Sequence, residues 1–233
     1  MYTLITANRN YSSWSLRPWL LMRQLDIPFE DRLVPFSGLE NYEAFRSFAP
    51  SGTVPCLIDG DRAIWDSLGI TLYLADRHQG IWPKDAEAKA WAQCVVAEMH
   101  SGFSALRSRC PMNVGIRVRR EEDSDALRRD VARMDEILGG GPARFGGPFL
   151  AGKDFTAADA FFAPVAFRIR SHGLEVGDGA AAWVAHMLSL PTMREWEEAA
   201  LAETHREIGH ENEVGASGTI IADYRAPAPA AAE

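Results

Sequence analysis

Residues 51–67, SGTVPCLIDGDRAIWDS, constrain the fold more than any other stretch of this chain. Two short apolar runs, 55–58 and 63–65, flank an Asp59-Gly60-Asp61 turn, which reads as a β-hairpin. Pro55 takes the first position of a strand, one of the few sheet positions that needs no N–H. Asp66-Ser67 then opens a helical pattern, where a side-chain oxygen can accept from the first unpaired backbone N–H groups. Those N–H groups also favour a carboxylate brought from elsewhere. Taken alone, the stretch is a hairpin followed by a capped helix.

The flanking sequence extends this pattern. Upstream it gives a strand over 2–7, a polar turn over 8–13 and an amphipathic helix over 15–25 with Pro18 in its first turn. A strand over 29–35 and a short helix or turn over 41–48 follow, and a helix over 67–78 comes after the hairpin. A helix between the first two strands implies that they pair in parallel, and the hairpin adds antiparallel neighbours.

Residues 79–85, QGIWPKD, break the pattern with Gly and Pro and mark a domain boundary. Everything beyond has a helical period. Trp91, Val95, Met99, Phe103 and Leu106 recur at helical spacing over 86–108, and Leu127, Val131, Met134 and Leu138 do so over 121–138. Residues 139–148 read as a Gly-rich loop that lacks the lysine of a phosphate cradle. Thr156-Ala-Ala-Asp159 is a capping box ahead of a nearly all-apolar helix over 157–169, the expected buried centre of the second half. Helices over 178–189 and 192–202 complete it. The terminal RAPAPAAAE reads as a disordered tail, with Ile220, Ile221 and Tyr224 placed to dock just before it.

Composition removes several functions. A net charge of −8 argues against non-specific nucleic-acid binding, which needs a basic face. No apolar run approaches the roughly 18 residues of a membrane span, and the first residues lack a signal-peptide layout. Cys56, Cys94 and Cys110 are widely spaced, with no CxxC and no His at zinc spacing, so they read as reduced thiols of a cytoplasmic protein.

A small α/β unit followed by an all-helical one, with these motifs, resembles the soluble glutathione transferases, in particular their serine-type, zeta- and theta-like branches. The resemblance covers residues 1–206. It implies an N-terminal thioredoxin-like domain over 1–80 and a C-terminal helical bundle domain over 86–206. Residues 207–233 are left as a partly disordered tail. Thr53-Val54-Pro55 is similar to the family's cis-proline loop, whose backbone pairs with the cysteinyl part of glutathione. Asp66-Ser67 is similar to the acidic-Ser pair that holds the γ-glutamyl end. Tyr11-Ser12-Ser13-Trp14 followed by Arg17 is similar to the serine-bearing start of the first helix.

On that resemblance a hydroxyl at the start of the first helix activates the glutathione thiol. Counting along the motif leaves Ser12 and Ser13 open, with Ser12 preferred and the Tyr11 phenol as a further candidate. For the second substrate the candidates are Met99, His100, Phe103 and Arg107. Gly102 in that helix costs ~1 kcal/mol against Ala, which hints at a close approach there. The implied activity is addition of glutathione, as co-substrate, to a small electrophile by a homodimer. Two other readings are a glutathione-dependent cis–trans isomerase of the maleylacetoacetate or maleylpyruvate type, and a non-catalytic binding protein. The isomerase would need several cationic side chains in its pocket, and Arg17, Arg107 and Arg109 are the evident ones.

Overall fold

The computed structural model describes residues 1–38 and 41–228. The first half is built on a four-stranded sheet in the order β2-β1-β3-β4: β1 Tyr2–Thr6, β2 Phe29–Leu33, β3 Cys56–Asp59 and β4 Arg62–Trp65. β1 pairs in parallel with β2 and antiparallel with β3, and the β3–β4 hairpin turns at Gly60 with φ +61°. The expected parallel pair and hairpin are both present. Helices α1 (Ser13–Gln24), α2 (Asn41–Arg46) and α3 (Ser67–Ala75) complete this half. α1 begins two residues earlier than its apolar period suggests, because Ser12 Oγ accepts from the Ser15 N–H and caps it. Pro18 therefore lies in the second turn. Trp19 is buried edge-to-face against Trp196, with the rings 5.1 Å apart.

The second half consists of α4 (Ala86–Ser101), α5 (Ser104–Arg109), α6 (Asp125–Phe145), α7 (Ala157–His172), α8 (Asp178–Ser189), α9 (Pro191–Ala202) and α10 (Ile208–Gly215). α7 is its buried axis and carries the predicted capping box: Thr156 Oγ1 accepts from the Ala158 N–H, and Asp159 accepts from the Thr156 N–H at 3.1 Å. Asp159 also takes the Leu150 N–H and the Trp183 indole N–H, tying α7 to the loop before it and to α8.

Three expectations fail here. The single helix over 86–108 breaks at Gly102, which ends α4 in an extended conformation, and Phe103 follows in the left-handed region at φ +59°. Arg107 folds back to donate to the Met99 and Gly102 carbonyls, which satisfies the freed end of α4. The Gly-rich loop over 139–148 is mostly helix, since α6 runs through Gly139-Gly140-Gly141 to Phe145. Tertiary contact overrides the poor propensity: a Cβ on Gly141 would meet the Leu150 carbonyl at 2.5 Å and the Trp91 ring at 2.6 Å. Finally, the region is not wholly helical. β5 (Ile116–Arg119) pairs antiparallel with β6 (Thr219–Asp223), burying Ile116 and Val118 against Val214. The segment assigned to a tail thus contains α10 and β6. Ile220, Ile221 and Tyr224 remain exposed on it, and residues 229–233 of the predicted disordered end lie outside the described residues.

Candidate active site

A cavity of about 540 Å³ opens where the two halves meet. From the first half it is lined by Tyr11 to Trp14 at the start of α1, Thr53 to Pro55 ahead of β3, and Asp66 and Ser67 at the start of α3. The second half contributes Arg107, Met112 and Arg168, with His210 and Glu213 from α10.

The Val54–Pro55 peptide is cis, and Pro55 leads directly into β3. Asp66 has φ +21°, a backbone conformation a non-glycine residue rarely adopts. In that conformation its Oδ1 accepts from the Leu68 and Gly69 N–H groups at 2.8 and 3.2 Å, and Oδ2 lies 3.4 Å from His100 Nε2. Ser67, buried beside it, accepts at Oγ from Arg17 Nη1 at 3.4 Å.

The three hydroxyls at the start of α1 differ in what they are bound to. Ser12 Oγ donates to Ser15 Oγ at 2.7 Å besides capping the helix, so its proton is already committed. Tyr11 is buried and donates its phenol to Glu211 Oε1 at 2.7 Å; burial first, and then that hydrogen bond, push its pKa up. Ser13 Oγ accepts from Arg168 Nη2 at 3.4 Å and has its own proton left to give. Local bonding thus commits the Ser12 proton to Ser15 and the Tyr11 phenol to α10, and leaves the Ser13 proton without an acceptor among the described residues.

Of the four second-pocket candidates only Arg107 lines the cavity. Met99 is buried in the core because α4 turns that face toward α7. Phe103 packs on Phe162 after the break at Gly102, with the rings 6.3 Å apart. His100 sits behind Asp66 and edge-on to Trp14, so it supports the Asp66 side of the site.

Sequence reasoning missed Arg168, His210 and Glu213. Arg168 lies on α7, in the run read as nearly all-apolar core, and a lone arginine there signals a buried charge in need of a partner. With Arg107 it makes a cationic wall, backed by the buried Arg17 behind Ser67. Every hydrogen bond these three guanidiniums make among the described residues goes to a neutral acceptor. Arg17 stacks between Trp14 and Phe161, and its Nε has no partner among the described residues. Burial, with the like charges of Arg107 and Arg168, holds its pKa well below the usual arginine value. Burial lowers Arg168 to about 10. His210, stacked on Tyr11, is held at Nδ1 by Glu207 at 2.6 Å.

Residues 11–77 match the family described as "Glutathione S-transferase, N-terminal domain", and residues 117–199 match its "C-terminal domain". A zeta-class glutathione S-transferase of Euphorbia esula is 26% identical over 166 residues, covering 67% of this chain and 70% of that protein. Glutathione S-transferase theta-1 of Homo sapiens is 33% identical over 96 residues, covering 40% of this chain and 39% of its own length. A dichloromethane dehalogenase of Methylorubrum extorquens is 34% identical over 61 residues; the match takes in 25% of this chain but only 21% of the dehalogenase. Among solved structures, the epsilon-class glutathione S-transferase of Musca domestica superposes with a TM-score of 0.66 at 19% identity, covering 93% of this chain and 97% of that one. The theta-class enzyme of Xanthomonas axonopodis pv. citri, solved with glutathione bound, gives 0.61 at 22% identity, covering 87% and 98%. The mixed sheet and its three helices are thus a thioredoxin-like domain followed by a helical one, and the chain belongs to the glutathione S-transferase family.

Proposed function

We propose that this protein is a glutathione transferase of the serine type, adding the glutathione thiol to a small electrophile. The observation that carries the reading is one cavity holding the Ser13 hydroxyl, the Val54–Pro55 step and the Asp66–Ser67 helix start. The residues fit an anionic tripeptide. At the start of α3, Ser67 and the buried Arg17 behind it favour a γ-glutamyl carboxylate, and the free side of Asp66 favours its ammonium group. The backbone at Val54 offers strand-like pairing to the cysteinyl part. Glutathione, when bound, supplies the nucleophilic sulfur, and Ser13 is the hydroxyl placed to donate to it. We read the protein as a cytoplasmic homodimer. Among the described residues no helix is long and apolar enough to cross a membrane.

Binding to immobilised glutathione, followed by assays with a haloaromatic electrophile and with maleylpyruvate, tests this reading. Turnover of the haloaromatic alone is the expected result. Turnover of maleylpyruvate alone would replace conjugation by cis–trans isomerisation, which the cationic side chains Arg107 and Arg168 in the cavity favour as second reading. Binding without either activity would leave a glutathione-binding protein.

A further inference from the structure

We propose that Arg168, reaching the cavity from α7 of the helical half, is the positioning residue that aims the Ser13 hydroxyl and supplies the counter-charge for a thiolate beside it. This rests on reading the cavity as a glutathione site.

Arg168 Nη2 donates to Ser13 Oγ at 3.4 Å, while Nη1 is anchored on the carbonyls of Cys110 and Arg107. The guanidinium is planar and fixed from both sides, and the residue is only 6% exposed. A hydroxyl whose lone pair accepts from one side turns its own hydrogen away from that donor, and at Ser13 the open side is the cavity. Ser13 then donates to whatever sulfur lies there. Ser12, one residue earlier, has no such freedom because Ser15 holds its proton.

Charge gives the second argument. A buried guanidinium that touches no carboxylate is costly to keep ionised, and Arg17 and Arg107 add like charge. The other titratable groups facing this corner are Asp66, Glu213, Tyr11, His210 and the Cys110 thiol, with Asp130 acting on Arg107 from α6. Asp66 caps α3 through Oδ1 and turns Oδ2 toward His100, and neither it nor Glu213 forms an ion pair with Arg168 among the described residues. Among the described residues no carboxylate touches the wall, and a ligand thiolate would place an anion against it at the end of Ser13. In this arrangement the thiol proton leaves to solvent, Ser13 keeps its own proton, and Arg168 stays protonated throughout.

The ultraviolet absorbance of the thiolate, titrated in the glutathione complex of the full chain, tests this in wild type, Arg168→Lys and Arg168→Gln. S-methylglutathione, which has no thiol to ionise, reports binding separately by calorimetry. The expected wild-type midpoint lies below that of free glutathione. Arg168→Gln should raise it by about one unit, a tenfold loss of thiolate at pH well below the midpoint, with the Lys variant in between. S-methylglutathione affinity should stay within about threefold, as a charge acting only on the thiolate requires. A wild-type midpoint equal to that of free glutathione overturns the proposal without any variant. So does an unshifted Gln variant, or an equal rise in Lys and Gln, since charge would then not be the cause. A Gln variant that loses turnover only with carboxylate-bearing electrophiles, its midpoint unchanged, would assign Arg168 to the second substrate and overturn the proposal too. If Arg168→Gln does not fold, wild type against Lys decides, and no rise in Lys overturns it. Failure of the wild type to bind S-methylglutathione would remove the glutathione reading itself, and this proposal with it.

Discussion

Arg17 Nη1 donates to Ser67 Oγ at 3.4 Å, joining α1 to the start of α3 across a separation of 50 residues. The bond links a fully buried charge to the point where two helix starts meet the cavity. Ser67→Ala should weaken glutathione binding by about 1–2 kcal/mol, the worth of one hydrogen bond involving a charged group. Arg17→Met should cost at least as much affinity while leaving the folded state no less stable, because an unpaired buried charge is replaced by an apolar chain of similar length. Calorimetry and thermal melts separate the two effects. A variant that melts earlier yet binds normally would make Arg17 a structural residue.

Neighbouring glycines of α6 should respond with opposite sign. A Cβ on Gly140 meets nothing within 4 Å, whereas one on Gly141 meets the Leu150 carbonyl at 2.5 Å. Gly140→Ala should stabilise by about 0.5–1 kcal/mol through helix propensity. Gly141→Ala should destabilise by about 1–3 kcal/mol, since a backbone oxygen cannot step aside as a flexible side chain could. Urea unfolding of the two variants measures the contrast.

These glycines also mark where the sequence stopped being readable. Three consecutive glycines and Pro142 read locally as a loop, and only the distant surfaces of Gly179, Leu150 and Trp91 reward a helix there. The first half was legible because its signals are local: the Asp59-Gly60-Asp61 turn and the cap at Asp66 each act within four residues, as does the box at Thr156 in the second half. β5 was legible in principle, since Ile116-Arg117-Val118-Arg119 alternates with period two, but its partner β6 lies about a hundred residues on. The site divides in the same way. Asp66, Ser67 and Pro55 came from motifs, while Arg168 and His210 reach the cavity only through tertiary folding.

His172 makes stability depend on pH. It is buried, with Nε2 2.8 Å from the Pro111 carbonyl and Nδ1 without a partner among the described residues. Burial, followed by the charges of Arg168 and Arg120, pushes its pKa down to about 4, against the hydrogen bond to Pro111. The unfolded chain, near 6.5, takes up the proton first, so the contribution is complete above about pH 6.5 and is lost as pH falls toward 4. The loss is of order 3 kcal/mol. His172→Asn should be less stable than wild type at pH 7, and the gap should close by about 2–3 kcal/mol at pH 4.5. Urea midpoints at the two pH values give the answer, and a constant gap would contradict it.

Assembly can be tested at Trp65 and Leu72, which are 45% and 50% exposed on the adjoining β4 and α3. Large apolar side chains left open on neighbouring elements fit a two-fold interface. Sedimentation should give about twice the 25.7 kDa chain mass at micromolar concentration. Trp65→Glu combined with Leu72→Glu should shift the species toward the monomer. A wild type that sediments as a monomer would rule the dimer out.

Ser12 and Ser13, adjacent in sequence, should separate into a structural and a chemical role. Ser12→Ala removes the cap of α1, so it should lower stability by about 1 kcal/mol and leave the pH–rate profile in place. Ser13→Ala removes the only hydroxyl of the Tyr11-Ser12-Ser13 run whose proton is uncommitted. The size of its effect follows from thiol chemistry. Raising a thiol pKa from ~6.5 to ~8.5 cuts the thiolate fraction at pH 7 about 25-fold. The more basic thiolate is intrinsically about 8-fold more nucleophilic at a Brønsted slope of ~0.45. Turnover of Ser13→Ala at neutral pH should therefore fall only about threefold, with its pH–rate profile moved to higher pH and glutathione affinity little changed. Most of the rate then has to come from holding the electrophile beside the sulfur, which the cavity walls at Arg107, Met112 and Glu213 would govern. Tyr11→Phe should loosen α10 through the lost bond to Glu211 without moving the profile. If Ser12→Ala moves the profile and Ser13→Ala does not, the two serines exchange roles. If none of the three moves it, serine activation is excluded for this chain.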